Sequence, residues 1–264
     1  MPVQAYYDCY RGIDIRPGMW RPHYPWEQIA WIHPAWGSQD YAWLDFPECV
    51  NCDQGIFFLS NVYPDPVIDT LRHRELSPSQ WEREGDALRF DRTLPDGLRF
   101  GGMLRRADES SVAMHLQIHN GTQESLTGVR LVPCLLLRTL QGFEACTGTN
   151  KFVYLDGRGW TNLDEAHALE DFPGRFPIGD GSRRVGSPLP LVVARGVDGK
   201  RMIVMTWFDD THSLTGNPVH PCIHAHAAGG DLEPGETKAM EGSLLFLEGS
   251  LDDVASRFSD RYPV

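Results

Sequence analysis

Two short stretches of this chain carry histidines in an alternating pattern, and chemistry is most readily placed there. In Ser111-Val-Ala-Met-His-Leu-Gln-Ile-His119, the period of an extended strand sends Val112, Met114, Leu116 and Ile118 to one face. The opposite face carries Ala113, His115, Gln117 and His119, polar without being charged, as the wall of a cleft would be. In His220-Pro-Cys-Ile-His-Ala-His226, an extended backbone aligns His220, Cys222, His224 and His226. Pro221 confines that segment to an edge or a strand start. Imidazole changes charge near neutral pH, so His115, His119, His224 and His226 are the candidate catalytic acid and base. Neutral imidazole also binds transition metals, and His220, His224 and His226 form an alternative set for a divalent ion. A third reading leaves these histidines as hydrogen-bonding groups on a surface without a site.

Other residues would complete a sugar site around them. Trp207-Phe-Asp-Asp-Thr-His212 sets Asp209 and Asp210 beside an indole and His212, and Asn217 follows shortly after. Gln117 and Trp43 are further candidates for substrate contact. Asp45 and Glu48 lie among aromatics in Trp43-Leu-Asp-Phe-Pro-Glu48, where desolvation would raise a carboxyl pKa. Arg105, Arg106, Arg138, Arg183 and Arg184 could meet an acidic sugar, although isolated arginines are usually solvated. Leu232-Glu-Pro-Gly-Glu236 reads as a type II turn into a strand, with Pro234 and Gly235 at its centre. The six cysteines of a 264-residue chain are no disulfide framework. Cys134, in Val132-Pro-Cys-Leu-Leu-Leu137, reads as a packing residue. Cys49-Val-Asn-Cys52 is a CxxC without a second pair and reads as two loop thiols rather than a zinc or redox site.

The elements that must position these groups are short and mostly extended. Strands are expected at 55–60, 86–91, 98–104, 111–119, 126–137, 189–195, 201–207, 222–226 and 237–246, with turn residues at Pro95-Asp-Gly97, Asn120-Gly121 and Val197-Asp-Gly-Lys200. One helix is expected near 250–259: Ser250 suits its N-cap, and Leu251, Val254, Ala255 and Phe258 share a face. Many short strands with one terminal helix predict a mainly β chain, a single antiparallel β-sandwich domain over 1–264. Residues 1–50 hold five of the eight tryptophans (Trp20, Trp26, Trp31, Trp36, Trp43), with Tyr24, Tyr41 and Phe46. They read as an irregular aromatic-rich arm that either seals the sandwich or offers a stacking platform for sugar rings.

Charge and missing motifs narrow the partners. With 36 acidic and 24 basic residues the net charge is −12, which disfavours nucleic acid and anionic membrane surfaces. No apolar run approaches a membrane span. The start Met-Pro-Val-Gln-Ala-Tyr-Tyr-Asp lacks the pattern of a signal peptide, so a cytoplasmic location is expected. No GxGxxG opening a helix, Walker A or GxSxG motif is present.

Val112–Asn120, followed by Gly-Thr-Gln-Glu-Ser-Leu-Thr-Gly-Val129, and the late Asp-Leu-Glu-Pro-Gly-Glu leading into Gly242-Ser-Leu-Leu-Phe-Leu247, resemble the galactose-mutarotase-like β-supersandwich group. The resemblance spans about a quarter of the chain. It implies a sugar held on a concave sheet face and worked by histidine and a carboxylate. One group would take the anomeric hydroxyl proton and another would protonate the ring oxygen, tasks for which His115, His119 and His224 are candidates. The expected function is therefore proton transfer on a small or oligomeric carbohydrate, of epimerase (isomerase) or lyase type, with no cofactor required. The alternatives are a metal-dependent enzyme and a noncatalytic carbohydrate-binding module.

Overall fold

The structure, a computed structural model, describes residues 12–19, 26–38, 40–61, 70–73, 76–78, 80–180 and 184–264. Trp20, Tyr24, Cys9 and Arg183 lie outside the described residues. Two antiparallel sheets dominate. The first has seven strands, ordered β1 (Asp14–Pro17), β2 (Ile29–His33), β3 (Ala42–Cys52), β9 (Leu126–Leu136), β17 (Cys222–Leu232) and β16 (Thr211–Gly216), with β4 (Gly55–Leu59) paired to β3. The second has nine, ordered β11 (Gly159–Asn162), β10 (Lys151–Leu155), β14 (Leu191–Arg195), β15 (Arg201–Thr206), β18 (Thr237–Glu248), β8 (Ser111–His119), β7 (Arg99–Arg106), β6 (Ala87–Thr93) and β5 (Glu82–Glu84). A two-stranded ribbon joins β12 (Phe176–Pro177) to β13 (Gly186–Ser187).

The sheets stack face to face, with β17 packed on β8, β14, β15 and β18. Alternation decides which side chains enter the interface. Leu44, Leu135 and Ile223 form one row across β3, β9 and β17 and are fully buried. From the other sheet, Val112, Met114, Leu116 and Ile118 of β8 are equally buried, the face their period requires. This is the mainly β sandwich that alternation predicts.

Two short helices are present among the described residues. α1 (Leu163–His167) is capped by the Asn162 side chain. α2 (Leu251–Phe258) starts from Ser250, whose hydroxyl accepts from the Asp253 N–H while the Asp253 carboxylate accepts from the Ser250 N–H. Val254 and Phe258 are its buried residues. The expected turn after β17 is also formed: Gly235 adopts φ +87°, and the Glu236 N–H donates to the Glu233 carbonyl at 3.0 Å.

The N-terminal segment differs from expectation. Its described residues are not irregular, because they supply β1, β2 and most of β3, and β3 lies between β2 and β9 within the seven-stranded sheet. Trp26 is buried, and Trp36 stacks on Phe143 with ring centroids 5.9 Å apart. Cys49 and Cys52 are buried on β3 rather than placed in a loop, and both are free thiols. No helix among the described residues is long and apolar enough to cross a membrane.

Candidate functional site

The two histidine strands belong to different sheets. β8 points His115, Gln117 and His119 away from the core, onto the outer face of the nine-stranded sheet. There His115 Nδ1 meets Glu241 Oε1 at 2.7 Å and His119 Nδ1 meets Thr237 Oγ1 at 2.9 Å. β17 points His224 and His226 onto the outer face of the seven-stranded sheet, since the intervening Ile223, Ala225 and Ala227 are fully buried between the sheets. The two pairs therefore stand on opposite sides of the sandwich, and the common cleft expected of His115, His119, His224 and His226 is not formed. Strand period fixes the face of a residue but not the sheet it joins. His115→Ala and His119→Ala should each change unfolding free energy by no more than about 0.5 kcal/mol in urea titrations, as surface changes do. Neither should alter ligand binding at the opposite face.

The outer face of the seven-stranded sheet does gather reactive groups, in rows set by strand register. One row runs Trp31, Trp43, Leu136, Cys222 across β2, β3, β9 and β17. The next runs Asp45, Cys134, His224, Thr215, and a third runs Cys49, Val132, His226, Ser213. Arg130 lies one row beyond, its Nε donating to Asn51 Oδ1 at 3.0 Å. A register shift in β3 between Asp45 and Cys49 inserts Glu48 beside these rows, where it is half-buried and accepts from Asn61 Nδ2 at 2.7 Å.

The tightest grouping is Cys134, Cys222 and His224. Their donor atoms lie within 4.8 Å of one another, and Cys222 Sγ is 3.2 Å from His224 Nε2. This is the one group of at least three metal-ligating side chains among the described residues. The other nitrogen of His224, Nδ1, is buried and makes no hydrogen bond among the described residues.

Electrostatics follow from crowding. The Cys134 thiol donates to Cys222 and, with the His224 imidazole and the Asn217 N–H, holds the Cys222 sulfur well below the usual thiol range. That same shared hydrogen bond, with burial, raises Cys134. Burial lowers the His224 pKa, but the Cys222 hydrogen bond and charge, aided by Glu48, outweigh it, and the net direction is upward. His226 is pushed down to about 3, by burial first and then by the His224, His212 and Arg130 charges. Its Nδ1 is 2.9 Å from Ser213 Oγ. Asp45 rises to about 8 because it is desolvated and faces Glu48, despite a 2.5 Å hydrogen bond from Ser60 Oγ. Its Oδ1 is buried and makes no hydrogen bond of normal geometry among the described residues. The desolvated carboxyl anticipated from the flanking aromatics is thus present.

The remaining candidates divide. His212 lies on β16 with Nδ1 3.2 Å from Ser213 Oγ, and burial lowers its pKa. Trp43 is half-buried in the Cys222 row. Asn217 reaches the site through its backbone, while its side-chain oxygen accepts from the Val219 N–H at 2.9 Å. Trp207 is not a substrate platform: it is fully buried, stacks on Phe46 at 6.1 Å, and donates its indole N–H to the Ala225 carbonyl at 2.8 Å. Asp209 is paired with Arg175 and Arg261, and Asp210 with Lys238 at 2.8 Å, so both acids hold the turn before β16. His220 is exposed in the turn before β17 and outside the metal-ligating group, so the set of His220, His224 and His226 is replaced by Cys134, Cys222 and His224.

Two residues that sequence reasoning passed over interact with Cys222. Cys134 looked like packing because its neighbours in the run are apolar. Lys151, only 1% exposed, donates to the Thr147 carbonyl, and its charge interacts with Cys222 although burial lowers its pKa. No local signal marks a lysine at the start of a strand as buried.

No protein-family model matches the chain, and no curated protein matches it. Among solved structures, the Slr1438 protein from Synechocystis sp. PCC 6803 is similar at 10% identity, covering 80% of this chain and 79% of that one, with a TM-score of 0.42. Galactose 1-epimerase from Lactobacillus acidophilus NCFM is similar at 10% identity over 91% of this chain and 100% of that one, with a TM-score of 0.38. The GH36 α-galactosidase AgaA from Geobacillus stearothermophilus, in complex with stachyose, is similar at 11% identity over 94% of this chain and 34% of that one, with a TM-score of 0.37. The resemblance to the galactose 1-epimerase (mutarotase) structure is weak and confined to the fold.

Proposed function

We propose that the outer face of the seven-stranded sheet is a metal-assisted active site that acts on a carbohydrate. The observation that carries this reading is the convergence of Cys134, Cys222 and His224, with all three donor atoms within 4.8 Å of one another. A tetrahedral zinc ion, about 2.3 Å from sulfur and about 2.0 Å from nitrogen, holds such donors roughly 3.5–3.8 Å apart. Small side-chain shifts therefore suffice to close the set. Three protein ligands leave a fourth position open, as in catalytic rather than structural zinc sites.

A bound ion would polarise a substrate oxygen as a Lewis acid. The chain's own groups would do the rest. Glu48, half-buried on the irregular stretch of β3 and oriented by Asn61, would take a proton from the carbon next to the polarised group. Arg130, Asn51, His226 and Thr215 offer hydrogen-bonding groups suited to hydroxyls, with the Trp43 indole in the adjoining row. The reaction class is proton transfer. In epimerisation the carbanion is reprotonated from solvent on the opposite face. In β-elimination from an acidic sugar it expels its β-oxygen substituent, which takes a proton from solvent.

The test is solvent-deuterium incorporation into a panel of free aldoses and uronides, followed by NMR. Zinc-loaded protein should exchange at least one ring C–H, chelator-stripped protein should not, and zinc should restore the exchange. Glu48→Gln should keep the metal and lose the exchange. Equal exchange by stripped protein, or none across the panel, would overturn the reading.

A further inference from the structure

A second polar feature lies away from the thiol cluster, at the β5–β6 end of the nine-stranded sheet. Arg92 of β6 shares the inward parity of Leu88 and Phe90 and is only 8% exposed. Its guanidinium sits over the Phe58 ring at 5.1 Å, and Nη1 donates to the Ser77 carbonyl at 2.8 Å. Nη2 is buried and has no hydrogen-bond partner among the described residues. Among the described residues no carboxylate pairs with it, and burial lowers the pKa to about 10. The neighbouring Asp91 is engaged by Arg89 at 2.9 Å. A buried, half-satisfied guanidinium is costly, because its desolvation is offset by neither a counter-charge nor a full set of acceptors.

Arg92 forms part of the wall of an open groove of about 620 Å³, together with Ser77, Gln80, Trp81 and Thr93. We propose that this groove binds a small organic carboxylate that pairs with the Arg92 guanidinium. The planar guanidinium matches a carboxylate better than a spherical anion, and charge-assisted hydrogen bonds of this kind are among the strong ones. Trp81 and Pro78 provide apolar surface for the body of the ligand, while Gln80 and Thr93 offer further hydrogen bonds.

Sodium benzoate and sodium acetate, compared with sodium chloride at equal ionic strength, are the probes. Thermal unfolding and calorimetric titration of the full chain are the readouts. The carboxylates should raise the Tm of the wild type beyond the chloride effect and bind with a stoichiometry of one. Arg92→Met should lose at least tenfold in carboxylate affinity while unfolding at or above the wild-type Tm without ligand, because it removes an unpaired buried charge. Arg92→Lys, which keeps the charge without the fork, should retain only part of the binding. Equal responses to chloride and carboxylate, or carboxylate binding by Arg92→Met equal to the wild type, would overturn the proposal.

Discussion

Cys222→Ser should lower the protein's zinc affinity by at least about 100-fold while leaving the fold intact, since loss of outer-shell partners alone typically costs 10–100-fold. Cys222 contributes one of only three donors, and serine replaces a soft sulfur ligand with a hydroxyl that zinc sites seldom use. Cys134→Ser and His224→Ala should fall in the same range. Cys49→Ser is the internal control, because Cys49 is buried on the same face of the sheet but outside the converging group. Competition against a chromophoric chelator, with far-ultraviolet circular dichroism on the same samples, separates lost metal from lost fold. Wild-type affinity in Cys222→Ser would remove the cluster from consideration as a metal site.

Trp207→Ala should destabilise the protein by about 3–5 kcal/mol, the range for truncating a large buried aromatic side chain. The indole is fully buried, stacks on Phe46 with rings 14° from parallel, and satisfies the Ala225 carbonyl. Alanine would leave a cavity and an unpaired acceptor in the middle of β17. Trp207→Phe, which refills most of the volume, should recover much of the loss. Urea unfolding measures both, and zinc affinity of the folded fraction should not change in either. A loss under about 1 kcal/mol would mean that the indole is not the core residue its burial indicates.

The two expectations show what local pattern can and cannot carry. Period-2 alternation located β8 at both ends, because Val112, Met114, Leu116 and Ile118 all face one core. The N-cap of α2 was equally visible, since Ser250 acts within one turn, although the reciprocal bond from Asp253 was not read. β3 was hidden by its own irregularity: the register shift between Asp45 and Cys49 breaks the alternation that would reveal a strand. The Trp and Pro residues around it then suggested an irregular arm. His224 was legible as a site residue, but its partner Cys134 was not, since ligands from neighbouring strands meet through register rather than through spacing. Trp207, Asp209 and Asp210 misled for a related reason. Their types suit a sugar site, yet the indole turns inward and the acids are claimed by Arg175, Arg261 and Lys238.

Cys134, Cys222 and His224 as one metal centre is the claim on which the functional reading depends. X-ray absorption at the zinc edge, on protein loaded with one equivalent and freed of excess metal, tests it most directly. The predicted spectrum has two sulfur ligands at about 2.3 Å and a histidine nitrogen at about 2.0 Å, completed by a light atom in the fourth position. A first shell of nitrogen and oxygen alone, or protein that retains no zinc, would contradict it.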